Sequence, residues 1–240
     1  MLKIKSGVLL AIVYGYSPCQ LGLCGPQDRK RRNLITQYLR NIRKSEEKIR
    51  KILKDFKGAY PYYKLIAKSN GIVDPLDYRA VEAYWLGNSL LENVKIADYK
   101  KMMKEEFFPL GKMSQSRIKN LPSKAIPLHS LHVLVIGSVT GRFQETKPGL
   151  DLCRVSWGRV KQIRKENLVV ARQALKFGKK VVLDKMVERV ISWNKDILPA
   201  IRVGDFVSIH WNTAIEKLTL PRLTRMKKYH QKVLRIIGNK

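Results

Sequence analysis

The apolar period of this chain changes once along its length, and that change limits the fold more than any single motif does. Up to about residue 108, apolar residues recur at spacings of three, four and seven; from Leu131 the spacing drops towards two and β-branched residues dominate. The first pattern lays an apolar stripe on a helix, and the second lays one face of a strand against a core. Between them lies a Pro-, Ser- and Lys-rich stretch, 109–127. An α+β fold is therefore expected, with a helical N-terminal half, a small antiparallel β-barrel in the C-terminal half and a closing C-terminal helix. The boundary is expected at 127/128, giving a helical domain 1–127 and a barrel domain 128–240.

Within the first half, Leu34, Ile35, Tyr38, Leu39, Ile42, Ile49, Ile52, Leu53 and Phe56 predict an amphipathic helix interrupted near Ser45. Pro61 breaks it, because a residue before proline is pushed out of the helical region. A short helix over Tyr62–Ser69 follows, then one opened by Asp74-Pro75-Leu76-Asp77, with Asp74 as N-cap and proline in the first turn. Another runs from about Ile96 to Phe108. At the N-terminus, Lys3 and Lys5 precede the apolar run Gly7–Tyr14, which imitates a signal peptide but lacks a small-residue cleavage site. A buried first helix and a cytoplasmic protein are the expectation. Mean hydropathy of -0.26 and no apolar run near 18 residues argue against membrane insertion.

In the second half the expected strands are His132–Ile136, Arg154–Ile163, Leu168–Ala174, Lys180–Leu183, Met186–Ser192 and Phe206–Trp211. Helical spacing returns after Pro221, with Leu223, Met226, Leu234 and Ile237 apolar.

The 48 basic and 19 acidic side chains leave a net charge of +29. Such a field attracts polyanions. It is spread along the chain: 28–57 carries 12 basic and 4 acidic residues, and 217–240 carries 8 and none. An RNA- or nucleic-acid-binding protein is one function class this allows, with Arg29, Lys30, Arg31, Arg32, Arg222, Arg225, Lys227 and Lys228 tracking phosphates.

Chemistry concentrates elsewhere. No Ser/His/Asp arrangement, Gly-rich phosphate loop or H-E-x-x-H motif occurs, so no catalytic constellation is visible and an enzyme is the less favoured class. Three cysteines make no disulfide framework. Cys153 opens an alternating run, and is either a small buried hydrophobe, a nucleophile or a metal ligand. His210 closes another run, on the same face as Ser208, where alternation alone predicts exposure. A thiolate and an imidazole brought together on one sheet suit iron, nickel or zinc. Cys24, His129 and His132 are weaker candidates for the same site. On a strand, His129 and His132 would point to opposite faces.

Cys153-Arg154-Val155-Ser156-Trp157-Gly158-Arg159-Val160 and the run Gly204–Leu218 (G-D-F-V-S-I-H-W-N-T-A-I-E-K-L) resemble the small β-barrel chaperones of [NiFe]-hydrogenase maturation. In that family the cysteine is N-terminal, with a free α-amino group, whereas Cys153 is internal. The resemblance implies Cys153 and His210 as ligands of an iron fragment, and a hydrogenase large subunit or maturation scaffold protein as partner. Tyr16–Pro26, Gly58–Ala67, Asn70–Asp77 and Val81–Leu91, together with the two strand motifs, are similar over nearly the full length to a prokaryotic family of unknown function.

Overall fold

The computed structural model describes residues 6–40 and 46–238. Lys3, Lys5, Ile42 and the interruption near Ser45 lie outside the described residues. Helix α1 (Gly7–Gln20) is apolar on every side, and Val8, Leu10, Ile12 and Tyr14 are all fully buried. A helix of that composition belongs at the centre of a core. Against it pack α2 (Arg29–Arg40), α3 (Glu46–Leu53) and α5 (Tyr78–Leu86), and α4 (Tyr60–Ser69) packs on α5. The α5 start lies one turn later than expected. Asp77 caps it, accepting from the Arg79 amide at 2.8 Å, while Asp74 accepts from the Leu76 amide in the preceding turn.

Helix α6 (Ile96–Met102) continues as a π-helical turn through Phe107, and α7 (Gln115–Lys119) follows. The segment expected as strand His132–Ile136 is helical instead. Helix α8 (His129–Leu131) runs into a π-helical turn over His132–Ile136. Its residues up to Val133 are buried on all sides, so neither period could be read there, and packing overrides the β-branched preference. The helical path places His129 and His132 on neighbouring positions of one face rather than on opposite faces. Helix α9 (Lys147–Cys153), capped by the Thr146 hydroxyl, was not foreseen. Cys153 therefore ends a helix rather than opening a strand.

Five strands follow: β1 (Ser156–Ile163), β2 (Asn167–Phe177), β3 (Val181–Ser192), β4 (Phe206–His210) and β5 (Thr213–Leu218). They pair in the ring β1-β2-β3-β5-β4, with β4 returning to β1. All pairings are antiparallel except the join of β3 to β5, a single parallel pair, Ser192 with Thr213. The ring is uneven for that reason. The two strands expected over Lys180–Ser192 are one continuous strand, and β5 was not expected. Helix α10 (Leu220–Gly238) closes the chain and buries Leu223, Met226, Tyr229 and Val233. The ring has its own small core, including Val160, Val170, Val207 and Ile209. The larger core joins the α1 layer to Val155, Ile215, Leu218 and α10, so helices and sheet share one interior. Among the described residues no helix is long and apolar enough to cross a membrane.

Candidate metal centre

Alternation does put Ser208 and His210 on one face of β4, but that face is covered. Helix α1 lies on it: the Tyr14 hydroxyl meets Ser208 at 2.8 Å, and the Trp85 ring of α5 sits 5.4 Å from the His210 ring. His210 is only 2% exposed, so the expected exposure is corrected by the helical layer.

A proline decides which way His210 presents its nitrogens. Pro18 lies inside α1 and has no N–H, so the carbonyl four residues back, that of Tyr14, loses its helical partner. His210 Nδ1 lies 2.6 Å from that oxygen and donates to it. The hydrogen is thereby fixed on Nδ1, and the lone pair on Nε2, which is fully buried and has no hydrogen-bond partner among the described residues. Buried polar atoms are seldom left this way. His129 Nδ1 is a second such atom, and the two rings meet edge to face at 5.0 Å.

Cys153 completes the group. One ligand atom each from His129, Cys153 and His210 lies within 4.8 Å of the other two. Donors about 2.0–2.3 Å from one ion are at most roughly 4.4 Å apart, so a small side-chain shift would close the three on an ion. The hairpin after β4 holds the third side: Trp211 and Asn212 adopt φ of 48° and 55°, the left-handed pair of a two-residue β-turn. Asn tolerates this and Trp does so at a cost in strain. The Trp211 amide is tied to the Leu152 carbonyl at 2.9 Å, beside Cys153. The three side chains border a cavity of about 80 Å³ walled by apolar groups including Phe56, Trp85 and Val139.

Burial sets the protonation states. It pushes the Cys153 thiol up to about 12, with the Trp211 indole pulling slightly the other way. A thiol held protonated makes a poor nucleophile, which counts against an enzyme working through Cys153. Burial pulls His210 down to about 4, and takes His129 well below its usual value with help from the other histidines. Both imidazoles are therefore neutral at pH 7 and free to act as donors.

The chain belongs to DUF6390. The model of that family, described as a family of unknown function, matches residues 3–240. Comparison with curated proteins and with solved structures found no match.

Other candidates in this DUF6390 chain lie as follows. Cys24 and His132 line the same cavity without joining the three-ligand group. Arg222 and Arg225 both pair with buried carboxylates. Arg222 binds Glu216 at 2.7 Å and Glu82 at 3.3 Å, and Arg225 binds Glu82 at 2.8 Å. Arg31 pairs with Asp28 and Asp55, and Arg32 donates to the Gln27 carbonyl at 2.8 Å. Lys227 and Lys228 lie over the Phe206 and Tyr229 rings, while Arg29 and Lys30 are exposed. Of the expected phosphate-tracking set, Arg31, Arg222 and Arg225 thus pair with carboxylates. Sequence reasoning missed Glu216, which accepts from the Tyr14 hydroxyl at 2.6 Å and locks α1 onto β5. An acid on an otherwise apolar strand run, Ala214-Ile215-Glu216, was the available signal.

Proposed function

We propose that this chain is a cytoplasmic accessory protein that holds a metal ion or metal fragment through Cys153, His210 and His129. The observation that carries the reading is that one ligand atom each of His129, Cys153 and His210 lies within 4.8 Å of the other two, while His129 Nδ1 and His210 Nε2 are buried with no hydrogen-bond partner among the described residues. Thiolate with two imidazoles suits iron, nickel or zinc. Three donors leave a fourth position for an exogenous ligand or for a group of a client protein, as in open rather than structural sites. The likeness to hydrogenase-maturation chaperones supports the same residues, with the five-strand ring read as their small barrel. Cys153 lacks the free α-amino group of those chaperones, and His129 stands beside it as a further donor.

Cobalt(II) titration of the anaerobic protein tests the reading. One equivalent is expected to produce a thiolate-to-cobalt charge-transfer band that Cys153→Ser abolishes. A band that persists in the variant, or no binding by wild type, would overturn it. Orientation by the freed carbonyl has its own test. Pro18→Ala restores the amide that competes with His210 for the Tyr14 oxygen, and should weaken cobalt affinity about 10- to 100-fold, the usual cost of losing a partner behind a ligand. Unchanged affinity would remove Pro18 from the account.

A further inference from the structure

His132 is the buried histidine of the cavity that the three-ligand group does not use. Its hydrogen bonding differs from that of the ligands. The Tyr99 hydroxyl donates to the Tyr62 hydroxyl at 3.1 Å, which leaves the single Tyr62 hydrogen for His132 Nδ1, 2.8 Å away. Nδ1 is then an acceptor, and Nε2 carries the N–H. The relay is buried throughout: Tyr62 and Tyr99 are fully buried, and Tyr62 stacks on Tyr84 at 4.8 Å. Nε2 faces Gly58, whose missing side chain leaves that edge of the ring open. A Cβ there would stand 3.5 Å from it. Both Gly58 and His132 border the cavity, and the His132 ring centre lies 6.4 Å from that of His129. No hydrogen-bond partner for Nε2 occurs among the described residues.

The cavity thus combines three side chains able to ligate a metal with one fixed N–H donor, its ring centre 6.4 Å from that of His129. A donor of that kind has no use for a bare cation. It suits the negative end of a small ligand bound at the open fourth position, and the high positive charge of the chain favours the same sign. We propose that the site takes a small hydrogen-bond-accepting anion, of the class of hydroxide, azide or thiocyanate, with His132 donating to it and Tyr62 fixing the tautomer of His132. This rests on the metal-holding reading. Tyr62 is a positioning residue in this scheme, and His132 touches the anion without ligating the metal.

Azide titration of the cobalt(II)-loaded protein, followed in the cobalt spectrum, is the test. Wild type should bind azide saturably. His132→Phe should keep the charge-transfer band and the cobalt affinity but weaken azide by about tenfold or more, the scale of one hydrogen bond to a charged group. Tyr62→Phe, which leaves the cavity wall intact, should weaken azide as well. Should His132→Phe fail to fold, Tyr62→Phe decides by itself. Azide affinity unchanged in Tyr62→Phe, or no azide binding by cobalt-loaded wild type, overturns the anion proposal. A His132→Phe protein that folds but loses cobalt affinity also overturns it, by making His132 a ligand. If wild type shows no charge-transfer band at all, the metal reading has failed instead.

Discussion

Cys153→Ser is expected to lose metal affinity on the order of a thousandfold, with His210→Ala close behind it. Loss of a residue behind a ligand already costs 10- to 100-fold, and loss of the ligand itself removes the bond that the outer residue only orients. The two variants should differ in their pH dependence. Metal uptake by wild type must displace the proton of a thiol whose pKa burial has raised to about 12, so about one proton leaves per ion bound and affinity climbs with pH. His210, pulled down to about 4, has no proton to release at pH 7. His210→Ala should therefore keep the slope while losing affinity, whereas Cys153→Ser should lose the slope itself. Competition against a chromophoric chelator between pH 6 and 8 measures both quantities. Equal slopes in the two variants would contradict the assignment of Cys153 as the thiolate ligand.

The metal-free protein is expected to unfold in mild acid. Burial pulls His132 and His210 from 6.5 to about 4 and takes His129 well below its usual value. In the unfolded chain these groups titrate near their ordinary value, so between roughly pH 6.5 and 4 the unfolded state binds the extra protons. Stability then rises with pH, and it is lost as the pH falls through that window. Three histidines acting together give a slope of up to roughly 4 kcal/mol per pH unit, against a total stability of about 5–15 kcal/mol for an ordinary domain. Glu216 works the other way, since burial raises its carboxyl and favours the fold in acid, but it is one group against three. His230 acts in the same direction as these three: burial and the nearby Arg154 cation pull it down to about 4, although its Nδ1 and Nε2 face the Met226 and Val155 carbonyls at 2.9 and 2.7 Å, contacts that favour an added proton. Circular dichroism and tryptophan fluorescence should show a cooperative transition centred above pH 4. A fold intact at pH 4 would contradict the burial of neutral histidines in this cavity.

The sequence showed its regular elements where one face meets solvent and hid them where none does. Helices α2 to α4 carry clean periods and lie close to their expected spans. The segment around His129 is buried on every side, so no period marked it as helical. That error separated His129 from His132 and kept His129 out of the leading ligand pair. Cys153 and His210 were legible through the two strand motifs, yet His210 was expected to be exposed. Alternation assigns a residue to a face without saying what covers that face, and here the cover is α1, 196 residues earlier in the chain. The orienting role of Tyr14 was not legible, because it belongs to a backbone carbonyl. Its one sequence trace is Pro18, four residues on, a proline inside an otherwise unbroken helical run. Likewise Arg222 and Arg225 look like free cations in a basic tail until β5 and α5 bring Glu216 and Glu82 to them.

The most direct measurement is the metal content of protein purified without oxygen, wild type beside Cys153→Ser. Close to one iron, nickel or zinc per wild-type chain, absent from a folded Cys153→Ser protein, is the predicted result. Metal absent from both, or equal in both, would contradict a centre built on Cys153, His210 and His129.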